Sequence, residues 1–341
     1  MQKMKSIDLH SHVVPPNILA AMRADPDRFG AKGKSGNGVK VVDRDGILYW
    51  ETNSRLTEIE RILYDVDAKI ADMDRMRIDI SGISVAPPTY FYELPADDGL
   101  HASKLHNDGI AEMVAKYPAR LRGMATLPMQ NADAAIAELE RVVKNYGFKA
   151  VEMGSSIEGE LLAHEKFRPI LRTIEQLGCF IFIHPNKCLA RGGMEGFELF
   201  NTIGFPLDEV IMAAHLMMSG ALDEMKSLRI LIAHGGGYVP YQIGRFECAH
   251  RHRPAASAAT KTSPRTLLRR FYFDALTHDP KALRYLIEQV GADRVVIGSD
   301  NPFDMGYPDP LAELDKVPQL TADERAQICE KTALELLGEN R

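Results

Sequence analysis

The chain has 341 residues, 45% hydrophobic and 26% charged, with a net charge of −6 and no block of like charges. That balance supplies a large core and argues against a disordered chain, a nucleic-acid-binding face or a polybasic membrane surface. Cys179, Cys188, Cys248 and Cys329 stand far apart without CxxC spacing, which argues against a disulfide framework or a thiolate zinc site.

The first strand is expected over residues 5–10, in "KSIDLH", directly before "SHVVPP". The segment 24–57 is polar and glycine-rich, and its alternation around Asp45-Gly46 predicts a β-hairpin. It reads as an insertion between the first strand and the first helix, covering the mouth of the fold. Further β-branched runs at 80–87, 121–128, 148–155, 179–185, 229–236, 271–276 and 294–300 bring the strands to eight. Helical spacing of apolar residues falls between them, at 59–77, 102–117, 131–146, 166–177, 208–226 and 280–291. A second long connection, 186–207, follows the fifth strand. Eight alternating units predict parallel pairing and closure into a single (β/α)8 barrel over residues 1–341. No apolar run reaches the ~20 residues of a membrane span and no signal-peptide core opens the chain, so a cytoplasmic protein without membrane or nucleic-acid partners is expected.

In such a barrel the carboxyl ends of the strands surround one pocket. The first ends in His10-Ser11-His12, the fifth in His184, the sixth in His234 and the eighth in Asp300. His10 and His12 are two apart, so on an extended strand both face the interior while Ser11 turns the other way. Imidazoles so placed can share a cation at about 2.0–2.2 Å, His184 adds a third nitrogen and Asp300 an anionic oxygen. A remaining position would hold water, whose pKa a bound zinc lowers to about 7. His234, in "IAHGGG", is either another ligand or a base, and Asp300 is able both to bind metal and to relay a proton. Asp274 and His278, in "YFDALTHD", are weaker candidates. His215 reads as structural, His101, His106 and His164 as surface residues, His250 and His252 as helix-end residues, and Trp50 as a packing or lid residue. Imidazole and carboxylate suit zinc, manganese and iron alike.

The segments "DLHSH", "FIHP", "AHGGG", Gly244-Arg245 and "GSDNPF" resemble, in order, the signature of the amidohydrolase superfamily. Within it they are most similar to the branch of aminocarboxymuconate-semialdehyde decarboxylase-like proteins, and "YPARLRGMATLPMQ" and "FYFDALTHDP" extend the similarity along the chain. The resemblance implies one divalent metal, usually zinc and in some relatives manganese, held by His10, His12, His184 and Asp300. It further implies that His234 is a base beside the metal's water rather than a ligand. A homodimer is implied as well, in which Arg245 reaches the neighbouring site and its planar fork holds a substrate carboxylate. The position of a first such arginine carries Lys69, and that of a tryptophan after the fifth strand carries Asn186; with Arg245 these form the expected substrate-binding layer. The expected activity is metal-dependent, non-oxidative decarboxylation of a small unsaturated or aromatic carboxylic acid. The alternative on the same scaffold is a hydrolase cleaving an amide, lactone or carbon–carbon bond.

Overall fold

Eight parallel strands follow one another in chain order: β1 (Ile7–Val13), β2 (Ile80–Val85), β3 (Leu121–Ala125), β4 (Ala150–Gly154), β5 (Phe180–His184), β6 (Arg229–Ile232), β7 (Phe271–Asp274) and β8 (Val295–Val296). The computed structural model describes residues 4–30, 38–52, 55–190 and 192–339, so residues 31–37 and 53–54 of the expected insertion lie outside the described residues. The segment after β8 returns to β1, with Asp8 opposite Ile297, Ser11 opposite Asn301, and Asp300 N donating to His10 O at 2.8 Å. Closure removes the free edges of the sheet, and the fold is the (β/α)8 barrel that the alternation of elements predicts.

The strands are apolar on both faces because both faces are covered. Ile7, Leu9, Met124, Phe180, Phe182, Leu231 and Val296 fill the interior, and Leu334, Leu336 and Leu337 of the C-terminal helix Thr332–Leu337 belong to the same buried cluster. A larger apolar shell joins the outer strand faces to the helices. Local signals set the helix ends. Asn131 caps Ala132–Tyr146 through Ala134 N, and Gly147, left-handed at φ 69°, ends it; Asp279 caps Pro280–Val290 in the same manner. Such N-caps contribute about 1 kcal/mol each.

The segment after β1 contains an antiparallel sheet of Lys40–Arg44, Ile47–Thr52 and Arg55–Glu58. Its first turn is Asp45-Gly46, both at positive φ (54° and 84°), as a two-residue type I′ hairpin requires. Trp50 is buried in a satellite core with Ile18, Met22, Phe29 and Leu63, so it packs the insertion.

β1 departs from regular alternation in one place that matters for the site. From Asp8 to Ser11 it spends three steps where β2 spends two, from Ser81 to Ile83, which is a β-bulge. Leu9 therefore packs inward with Ile7, and His10 faces inward too, its ring centroid 5.0 Å from that of Phe182. The His10 amide is taken by Asp8 Oδ1 at 3.0 Å, and the other Asp8 oxygen accepts from Ser299 Oγ at 2.5 Å, tying the bulge to the segment after β8.

His106 corrects the sequence expectation of a surface residue. Helix Ala96–Lys116 turns it fully inward, where its ring lies 5.9 Å from that of Phe91. Burial pushes its pKa down from 6.5 to about 3. Below pH 6.5 the unfolded chain binds a proton that the folded chain refuses, so stability held at neutral pH is lost as the pH falls toward 3. His106→Leu removes that dependence. Calorimetric unfolding at pH 7 and pH 4 should show the native protein losing about 3 kcal/mol more than the variant over this interval.

Candidate metal centre

Four side chains converge at the carboxyl ends of β1, β5 and β8. One donor atom from each of His10, His12, His184 and Asp300 lies within 4.8 Å of all the others, and all four residues are buried. Opposite ligands about 2.2 Å from a shared cation stand about 4.4 Å apart, so little adjustment is needed to bind one.

The rings are held from behind. His12 Nδ1 faces Val85 O at 3.0 Å, His184 Nδ1 faces Pro185 O at 2.7 Å and His10 Nδ1 faces the Asp274 carboxylate at 2.6 Å. A carbonyl or a carboxylate can only accept, so each ring carries its proton on Nδ1 and presents the Nε2 lone pair to the centre. Those three Nε2 atoms and Asp300 Oδ1 are buried without a hydrogen-bond partner among the described residues. Three inward lone pairs and an anionic oxygen, all left unsatisfied, fit a divalent cation.

The charges agree with this fit. Burial alone would raise the Asp300 carboxyl, but the imidazoles of His10, His12 and His234 hold it well below the usual carboxylate range. Burial lowers both His12 and His184, keeping them neutral as ligands must be. Burial also works to lower His10, but Asp300 and Asp274 overcome it and raise its pKa to about 9. A cation at the centre would take over the positive charge that these carboxylates otherwise draw from a proton.

His234 stands just beyond β6, at φ 50° on the turn His234–Gly236. Its amide and that of Gly235 both donate to Asp274, at 3.0 and 2.8 Å, clasping the carboxylate that also orients His10. The glycines are required here. A Cβ on Gly236 would sit 2.6 Å from the Phe273 ring, and one on Gly237 would collide with the Pro206 carbonyl. His234 Nδ1 pairs with Glu209 Oε1 at 2.8 Å, and its Nε2 lies 3.9 Å from Asp300 Oδ2. Burial opposes protonation of His234, but Glu209 and Asp300 raise its pKa well above the ordinary value. His234 is therefore set beside the ligand cluster with a carboxylate behind it, the arrangement of a proton-transfer group.

A cavity of about 650 Å³ opens over these residues. Aromatic side chains from Tyr90, Phe91, Phe200, Phe205 and Phe303 line it together with Asn186, Lys187, Glu93 and His278, and Val39 and Thr52 of the insertion reach its wall. Asn186 is thus where the sequence places it. Arg245 is exposed on helix Val239–His252 and is not among the residues lining the cavity.

Lys69 is a correction. It is fully buried on helix Val66–Arg75, and its ammonium donates to His12 O and Asn301 O at 3.2 Å each and to Asn301 Oδ1 at 2.6 Å. Its helix packs on the outside of the barrel, so Lys69 reaches the seam between β1 and the segment after β8 rather than the cavity. There it fixes the backbone beside two ligands and is not available to a substrate carboxylate. Burial lowers its pKa to about 8 even though Asp8, Asp72 and Asp300 oppose the shift.

Two buried carboxylates carry roles that the sequence reading did not assign. Glu209 comes from helix Phe205–Met218, where "DE" interrupts a nearly all-round apolar pattern; that interruption was the available signal. Glu152 lies inward on β4 and accepts from Tyr90 Oη at 2.9 Å, and burial raises its pKa to about 8. Its signal was a carboxylate in the otherwise apolar strand "AVEMG". Asp274, a weaker candidate in the sequence, orients His10 from behind. Asp274→Asn should lower metal affinity about 10- to 100-fold, as loss of such a supporting carboxylate usually does. Competition with a metal-sensitive dye measures this, while circular dichroism checks that the fold is kept.

Among the described residues, no helix is long and apolar enough to cross a membrane. Along almost its whole length the chain resembles 2-amino-3-carboxymuconate-6-semialdehyde decarboxylase of Dictyostelium discoideum, with 28% identity over 336 residues, 97% of this chain and 91% of that one. Its fold matches the crystal structure of 5-carboxyvanillate decarboxylase from Sphingomonas paucimobilis with a TM-score of 0.84 at 21% identity, covering 99% of this chain and 100% of that one. It also matches dihydroxybenzoic acid decarboxylase from Polaromonas sp. JS666, solved with bound manganese and the inhibitor 2-nitroresorcinol, with a TM-score of 0.77 at 23% identity over 99% and 98% of the two chains. The amidohydrolase family model covers residues 7–338, and the chain belongs to that family.

Proposed function

We propose that the protein is a metal-dependent, non-oxidative decarboxylase of a small aromatic carboxylic acid, built as one barrel unit with segment 24–57 as its cap. The observation that carries this reading is an aromatic-walled cavity of about 650 Å³ standing directly over four unsatisfied metal-ligand atoms. A flat acid fits such a wall, and the named decarboxylases among the relatives support the reaction class.

His10, His12, His184 and Asp300 hold the metal in this reading. When bound, a divalent cation polarises substrate oxygens and offsets the negative charge that develops as the carbon–carboxyl bond breaks. Manganese in a structural neighbour supports Mn2+, and the three-imidazole, one-carboxylate set suits Zn2+ equally. His234 manages the proton. Glu209 fixes its Nδ1, so Nε2 faces the cavity beside Asp300, and one proton delivered to the substrate carbon replaces the CO2 that leaves. The aromatic wall keeps water from that carbon. A cytoplasmic setting belongs to this reading, supported by four cysteines that form no disulfide among the described residues.

Incubating the metal-loaded protein with a panel of hydroxybenzoic and unsaturated carboxylic acids should release CO2 from at least one. Products of hydrolysis without CO2 would overturn the proposal in favour of the hydrolase alternative. His234→Ala should lower turnover by about 10²- to 10⁴-fold while metal content stays the same.

We further propose a homodimer in which Arg245 completes the neighbouring site. Its exposed position, one helical turn from the exposed Tyr241, supports this. Arg245→Ala should raise KM, and mixing Arg245→Ala with His234→Ala subunits should restore part of the native activity. A mixed dimer then contains one site with both groups. No recovery, with subunit exchange verified by mass, would count against the composite site.

A further inference from the structure

We propose that Glu93, Asn186 and Lys187 form a specificity element that admits a hydroxyl group on the substrate and rejects a second carboxylate. This rests on the decarboxylase reading above and names which acids the pocket takes.

Asn186 and Lys187 follow the ligand His184 by two and three residues, so they extend the wall of the cavity directly from the metal centre. Lys187 Nζ lies 2.8 Å from Glu158 Oε1 and 3.4 Å from Glu93 Oε2. The Glu93 side chain is only 5% exposed, yet it lines the cavity, and Glu158 braces the ammonium from behind without lining it. Beside them the Asn186 Oδ1 atom is buried and has no hydrogen-bond partner among the described residues.

Charge decides what this wall accepts. Two carboxylates share one ammonium, so the group is net negative, and Asp304 adds a further carboxylate to the cavity lining. Apart from histidines, Lys187 is the cationic side chain among the described residues lining the cavity. A substrate whose reacting carboxylate lies at the metal end would bring any second carboxylate against like charge, with little water to screen it. A hydroxyl meets no such penalty. It can donate to Glu93 or to Asn186 Oδ1 and accept from Lys187, satisfying a buried acceptor that otherwise stays unpaired.

The test uses three probes differing at one ring position: benzoate, 3-hydroxybenzoate and isophthalate. Each is titrated calorimetrically into the manganese-loaded protein. Native protein should bind 3-hydroxybenzoate more tightly than benzoate, and isophthalate most weakly. Glu93→Gln should improve isophthalate relative to benzoate by about tenfold, since it removes a like charge from the cavity wall. Glu158→Gln, remote from the ligand, should shift that ratio in the same direction, so the result does not depend on one variant folding well. Ratios unmoved in both variants, at unchanged metal content, would overturn the specificity element while leaving the decarboxylase reading intact. If none of the three acids binds the native protein, the acid site itself fails and this inference falls with it.

Discussion

One buried carboxylate, that of Asp274 at the end of β7, fixes the relation between the groups on which the site depends. It receives His10 Nδ1 from β1 and the amides of His234 and Gly235 from the turn after β6, and it accepts from Leu276 N in its own loop. The metal-binding face of His10 and the position of His234 are therefore set by the same anion. Displacing it would rotate His10 and move His234 together, through a residue that is not among those lining the cavity.

The rest of the centre follows from keeping charge buried without leaving it unpaired. Asp274 is saturated by donors, Glu209 Oε1 is paired with His234, and Lys69 is held by the oxygens of His12 and Asn301. Among the described residues, the inward atoms of His10, His12, His184 and Asp300 converge without hydrogen-bond partners, a donor set whose chemistry suits a cation. Loss of one member of a buried charged pair is costly because the other remains desolvated, so the seam that Lys69 closes belongs to the metal centre even though it lies outside the cavity.

The cluster of candidate metal ligands was readable from the chain because strand ends, not distant contacts, place it. "HSH" at the first strand, "HP" at the fifth and "SD" at the eighth each put an inward side chain at the same rim. Even there the reason was incomplete. Simple alternation accounts for His10 and His12 facing the same way, but a bulge between Asp8 and Ser11 brings that face inward together with Leu9. The helical contributions were harder to read. Lys69 looked like a carboxylate anchor, and only the seating of its helix on the outer wall shows that its ammonium is already bound. Glu209 drew no assignment from the sequence, and His106 looked like one more polar surface residue, but packing buries both.

Periodicity and strand-end chemistry, both local properties, were thus enough to specify a closed barrel and to bring His10, His12, His184 and Asp300 to one rim. Which carboxylate stands behind which histidine, which lysine lines the cavity and which is sealed in the wall depend on contacts between residues up to 264 positions apart, as in His10 with Asp274. No local pattern encodes the rotation of a helix against the sheet. Burial and pairing of charge, on which the environment of His10, His234 and Lys187 depends, exist only once the barrel has closed.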